Sequence, residues 1–129
     1  MDRPLAEIAR EALAAFAEQG AGAATAYLRE DVVLREDPKW PDGDVWHGHD
    51  GVREMLRQRL ESTVIEPELE ELRERGQRVL AIMRWTARGL GSGATVDMHA
   101  GAVFTFEGSQ IALIEMFIDP ERAQARFDE

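Results

Sequence analysis

The 129-residue chain contains no cysteine. That excludes a disulfide framework, a thiolate nucleophile and a cysteine-ligated zinc. Lysine is almost missing: Lys39 stands alone, and the other fourteen basic residues are arginine. Twenty-five acids against these fifteen bases leave a formal net charge of −10. A chain of that sign repels a phosphate backbone, so no nucleic-acid partner is expected. Long apolar runs are absent as well. The opening stretch, MDRPLAEIAREALAAF, alternates charged with apolar residues. It reads as neither signal peptide nor membrane span, so a cytoplasmic location and no membrane partner are expected. There is no internal repeat, low-complexity tract or linker. The length suits one domain, residues 1–129, large enough to bury a core without staples.

What is present is a run of helical and strand-like segments. Leu5, Ile8, Ala9, Ala12, Leu13 and Phe16 fall at helical spacing, and Gly20 and Gly22 follow; this predicts a helix over 4–19. Residues 23–29 read as a second, short helix, and 32–36 as a strand. The 38–48 segment is a loop ordered by Pro38, Pro41, Trp40 and Trp46. Val52, Met55, Leu56 and Leu60 form the apolar face of a third helix over 50–61, with Asp50 at its start. Taken alone, the acid-rich 64–75 segment favours helix. Residues 78–88, 95–106 and 110–118 are strands, separated by glycine-bearing turns. Asp119–Pro120 opens a short last helix. The order predicts an α+β layering, with a curved sheet closed by helices around a default ligand cavity.

The most specific stretch is 29–60. A strand ends at Asp37, a carboxylate fixed before Pro38, and a tryptophan-bearing loop and a helix close over it. Asp37 is either a general base lifted by an apolar cavity or a turn-forming, salt-bridged acid. Arg84, inside an apolar strand, either binds a substrate oxygen beside Asp37 or pairs at the sheet surface. His47 and His49 lack a third convergent ligand, so no metal site is expected. Trp40 and Trp46 are either a lid over a ligand or loop residues packed on the core. GLGSG at 89–93 lies between strands and reads as a turn, not a phosphate loop.

This order of elements, with REDP at 35–38, GHDGVREML at 48–56, RGLGSGATVDM at 88–98 and VFTFEGSQIALIEMFIDPERA at 103–123, resembles the SnoaL-like members of the NTF2-like superfamily. The resemblance implies an NTF2-like cone: a curved, mostly antiparallel sheet wrapped around three N-terminal helices, with a central pocket. It turns the reading of 64–74 to strand. It gives Asp37 the place of the general base of ketosteroid-isomerase-like members. The other parts of that catalytic set are missing: the first helix offers Leu13 and Phe16 and no tyrosine, and Ala102 stands where a strand acid would be. By the family's parity Met98, Ala100 and Ala102 point into the cone, and Asp97, His99 and Glu115 point outward. The implied ligand-contacting set is Phe16, Leu28, Trp40, Trp46, Met55, Met98, Ala100, Ala102, Ile114 and Met116. No cofactor is expected, and a homodimer packed through the outer sheet face is. Two functions follow as expectations. One is a cofactor-free enzyme moving a proton on a small apolar molecule, with Asp37 as base and Arg84 anchoring an oxygen. The other is a non-catalytic ligand-binding or dimerisation module.

Overall fold

The computed structural model describes residues 3–40, 43–61 and 63–129; Pro41, part of the expected tryptophan loop, lies outside them. Helix α1 (Leu5–Gln19) buries Ile8, Ala9 and Ala12 along one stripe and stops at Gly20, whose N–H bonds to the Phe16 carbonyl. A single turn, α2 (Ala21–Ala24), and a 3-10 turn (Thr25–Tyr27) lead into β1 (Leu28–Glu36). Strand β2 (Val45–His47) folds back on β1, and α3 (Gly48–Leu60) follows directly. Strands β3 (Thr63–Arg75), β4 (Arg78–Gly89), β5 (Thr95–Glu107) and β6 (Gln110–Phe117) run as a meander into α4 (Pro120–Asp128). Asp119 caps α4 by accepting the Glu121 N–H at 2.9 Å, with Pro120 in the first turn where its missing N–H costs nothing.

The strands form one six-stranded sheet in the order β2-β1-β6-β5-β4-β3. All neighbours are antiparallel except β1 and β6. Alternation along each strand sends one set of side chains to each face. The inner face meets α1 and α3, where Ile8, Ala9, Val52 and Met55 pack against Leu34, Met83, Ala102 and Phe104. The outer face carries α4, whose Ala123 and Phe127 cluster with Leu80 and Val103. Among the described residues no helix is long and apolar enough to cross a membrane.

Three boundaries differ from the sequence reading. The helix expected over 23–29 is α2 plus the 3-10 turn, and β1 starts at Leu28, because Leu28 is buried and pairs with Ile111 of β6. The segment around Val45, read as loop, forms β2, which covers the free edge of β1; the Glu36 N–H bonds to the Asp44 carbonyl at 2.9 Å. The 64–74 segment is strand, as the resemblance implied. Its Thr63, Ile65, Pro67 and Leu69 alternate with exposed Glu66, Glu68 and Glu70. Pro67 sits on β3, the edge strand of the sheet, opposite Trp85, and an edge strand tolerates a missing donor.

Candidate functional site

Between the inner face of the sheet and helices α1 and α3 lies an apolar cavity of two lobes. The larger, of about 300 Å³, is bounded by Trp40, Leu60, Ile65, Trp85, Met98 and Met116. The smaller, of about 110 Å³, runs deeper between Leu28, Leu34, Ala102, Phe104, Ile111 and Ile114. Phe16, Met55, Leu56, Trp85 and Met116 line both and form the partition. Larger, open grooves at the opposite end run over turn and terminal residues such as Gly76, Gln77, Gly108 and Ser109. Among the described residues neither they nor the groove over Thr25, Asp31 and His49 is lined by a buried ion pair.

Among the described residues one charged pair belongs to the cavity wall. Along β1 the buried positions alternate Val32, Leu34, Glu36, so the strand period itself turns Glu36 inward. On α3, Val52, Met55, Leu56 and Arg59 share a face, which brings Arg59 over it. The Arg59 Nη2 donates to both Glu36 oxygens at 2.8 and 2.9 Å, and its Nε donates to Oε2 at 3.1 Å. The Trp46 indole N–H donates to Oε1 at 2.9 Å, and the Asp44 N–H reaches the same oxygen at 3.3 Å. The Glu36 side chain is 2% exposed and that of Arg59 24%. A buried charge is tolerated when it is paired and its lone pairs are filled, and here both conditions hold. Among the described residues the result is an apolar cavity with one polar end.

Asp37, the expected base, faces elsewhere. It is buried, but its carboxylate accepts from Arg122 Nη1 of α4 at 2.6 Å to each oxygen, from the Lys39 N–H at 3.0 Å and from the Ile118 N–H at 3.2 Å. Burial pushes its pKa up, and the Arg122 and backbone hydrogen bonds outweigh burial and hold it below the ordinary carboxylate value. It lines neither lobe. Arg84 does not meet it. The side chain lies on the outer face, half exposed, bonded to Asp97 at 3.3 Å. The expected pairing of Asp37 with Arg84 at one cavity is therefore corrected: both lie on the outer side of the sheet, away from the cavity, and each has its own partner, Asp37 under α4 with Arg122 and Arg84 in the exposed strip beside Asp97, opposite His99 across β4 and β5.

Of the expected ligand-contacting set, Phe16, Leu28, Trp40, Met55, Met98, Ala102, Ile114 and Met116 line one lobe or both. Ala100 and Trp46 do not. Ala100 is buried on the inner face opposite Met83. Trp46 packs on the core and spends its indole N–H on Glu36. Asp97 and His99 point outward as the parity implied, to Thr86 at 2.8 Å and Glu70 at 3.0 Å. Glu115 also faces outward, under α4, where it accepts from Arg126 at 3.0 Å. His49 bonds to the Leu28 carbonyl at 2.9 Å. The sequence reading missed Glu36, Arg59, Arg122 and the role of Trp85 as a wall of both lobes.

A model of the SnoaL-like domain matches residues 9–114. A comparison with curated proteins finds none that matches. Among solved structures, the chain is similar to an NTF2-like protein of unknown function from Burkholderia pseudomallei, at 20% identity over 98% of each chain and a TM-score of 0.81. It is similar to TerC co-crystallised with polyporic acid, at 18% identity over 98% of this chain and 100% of that one, with a TM-score of 0.81. It also resembles a SnoaL-like polyketide cyclase (so described) from Mesorhizobium loti, at 20% identity over 89% of this chain and 99% of that one, with a TM-score of 0.73. At these identities the likeness establishes a common NTF2-like fold.

Proposed function

Because the chain belongs to the SnoaL-like domain family, we propose that it is a small-molecule pocket protein whose ligand is mostly apolar and lies in the cavity beside the Glu36–Arg59 pair. The observation that carries this reading is the apolar cavity of about 300 Å³ with the Glu36–Arg59 ion pair in its wall. Such a cavity rewards apolar surface through burial and fixes orientation through the polar end. The structural relative crystallised with polyporic acid lends the fold a small-molecule precedent. The test is a titration with 1-naphthol followed by tryptophan fluorescence, since Trp40 and Trp85 form the walls. Saturation at one molecule per chain is expected, weakened at least tenfold by Met98→Trp, which fills the larger lobe. A non-saturating signal, or one indifferent to Met98→Trp, sinks the proposal.

A second reading is cofactor-free proton transfer at the same place. It is favoured by Glu36, the one carboxylate in the walls of the two lobes among the described residues. Glu36 replaces Asp37 as the base, and Arg59 steadies the oxygen that gains charge. Glu36→Gln separates the readings: it ends turnover of any substrate found and leaves 1-naphthol binding within a few fold. Undiminished turnover removes Glu36 from the chemistry. The proposal also includes a homodimer through the outer sheet face, where Arg84 and Arg88 alternate with Glu66, Glu68 and Asp97, a charge pattern able to complement its own copy.

A further inference from the structure

Helix α1 carries a second stripe beside its buried one. Arg10, Leu13, Ala14 and Ala17 stand at helical spacing and share a face. Two of the four are alanines, too short to close the gap to the sheet. A groove of about 180 Å³ opens there between α1 and strands β3 and β4. Pro67 and Leu69 of β3 and Met83 of β4 form its floor, with Leu69 and Met83 opposite one another across the two strands. Leu13 and Met83 also bound the deep lobe. The groove thus backs onto the cavity, yet it shares no lining residue with the larger lobe.

The lining is apolar except for Arg10. Arg10 is exposed, and among the described residues it has no ion-pair or hydrogen-bond partner. The acids nearest to it along α1, Glu7 and Glu11, pair with Arg3 instead. Glu66 and Glu68 of β3 point to the outer face, because Pro67 and Leu69 take the inner one. The net charge of −10 does not decide the matter locally, since exposed charges more than roughly 10 Å apart are screened at ordinary ionic strength. A free guanidinium is a fork of donors that matches a carboxylate. From Arg10 to Ala17 the stripe is two helical turns, about 10 Å, a length that suits one alkyl chain better than a ring system. We infer that the α1–β3 groove is a second binding site, for a free straight-chain carboxylate. The head pairs with Arg10, and the tail lies along Leu13, Ala17, Leu69 and Met83. The site is outside both lobes, so it does not rest on the pocket proposal.

Calorimetric titration with octanoate tests this, with 1-octanol as the uncharged counterpart. Octanoate is expected to saturate at one molecule per chain, and 1-octanol to bind about tenfold more weakly. Arg10→Gln should weaken octanoate by about the same factor and leave 1-octanol unchanged. Ala17→Trp, which fills the groove from an exposed position of α1, should abolish octanoate binding. Met98→Trp, which fills the larger lobe, should leave it unchanged. Should Ala17→Trp fail to fold, Ala14→Phe fills the same groove and is read the same way. Equal binding of octanoate and 1-octanol, or octanoate binding indifferent to Arg10→Gln, overturns the inference. Octanoate binding that survives the groove-filling variants, or is lost in a folded Met98→Trp protein, places the molecule elsewhere and overturns it too, as does no octanoate binding at all. A chain that binds octanoate in the expected way and fails to bind 1-naphthol keeps this inference and loses the pocket proposal.

Discussion

Glu36 and Asp37 are adjacent in sequence, and an arginine from a different helix holds each. Glu36 is held by Arg59 of α3 on the inner side of the sheet, and Asp37 by Arg122 of α4 on the outer side. The sequence reading missed the first of them, although the period of β1 could have found it, since Val32, Leu34 and Glu36 share a face. The Asp-Pro pair and the resemblance drew attention to the second. Neither arginine was legible, because Arg59 is 23 residues from its partner and Arg122 is 85, and local periodicity carries no information on such pairings. The consequence for Asp37→Asn is a structural phenotype. The variant should lose about 2 kcal/mol at pH 7, the worth of hydrogen bonds to a charged group, and keep 1-naphthol binding. The sign with pH follows from the lowered pKa of Asp37. Its stabilisation is fully present above the unfolded carboxylate value, about 4, and is lost as pH falls through the lower folded value. Urea unfolding at pH 7 and at pH 3 should therefore show the gap between the two proteins closing in acid. A gap unchanged by pH, or wild-type stability at pH 7, would mean that the Arg122 contact contributes nothing to the fold.

Whole elements were read with uneven success, and the reasons are physical. α1 and α3 have apolar stripes at helical spacing, and β4 to β6 alternate with glycine turns between them, so each was visible locally. β3 was not. Glutamate and leucine favour helix there, and tertiary context reversed the preference by giving Thr63, Ile65 and Leu69 an inner face to fill. β2 is only three residues long and exists because the edge of β1 is free to pair. α4 was seen as a helix, but not its place on the outer face, and that place depends on Gly101. A Cβ added at Gly101 would lie 2.4 Å from the Ala123 Cβ and 3.3 Å from the end of Ile82. The first of these is no flexible tip but part of the helix itself, so α4 must move away from β5. Gly101→Ala is expected to cost about 1–3 kcal/mol through overpacking. Amide exchange should quicken selectively in 120–128, while 1-naphthol affinity, set on the other face, stays unchanged. Uniform loss of protection across the sheet would show that α4 docking is not a separable unit.

At the scale of the molecule, one sheet serves two tasks: its inner face and the helices enclose the cavity, and its outer face is divided. Around Gly101, α4 covers it. Beyond α4, Arg84, Asp97 and His99 stand exposed, joined laterally by pairs such as Arg84–Asp97 and His99–Glu70. Exposed, salt-screened pairs of this kind contribute little to the stability of a single chain, so reversing one charge should barely change folding. In a two-fold assembly the same strip meets itself, and every altered charge acts twice. Arg84→Glu would set a carboxylate beside Asp97 and opposite Glu68, turning an alternating strip into a repelling one. The expected outcome is a dimer for the wild-type chain and a monomer for Arg84→Glu in sedimentation velocity, with melting temperature at low protein concentration and 1-naphthol binding both preserved. A wild-type monomer would refute the dimer outright. A dimer untouched by Arg84→Glu would move the interface off this strip. A variant that unfolded would show that the strip supports the chain itself, against the small worth of its exposed pairs.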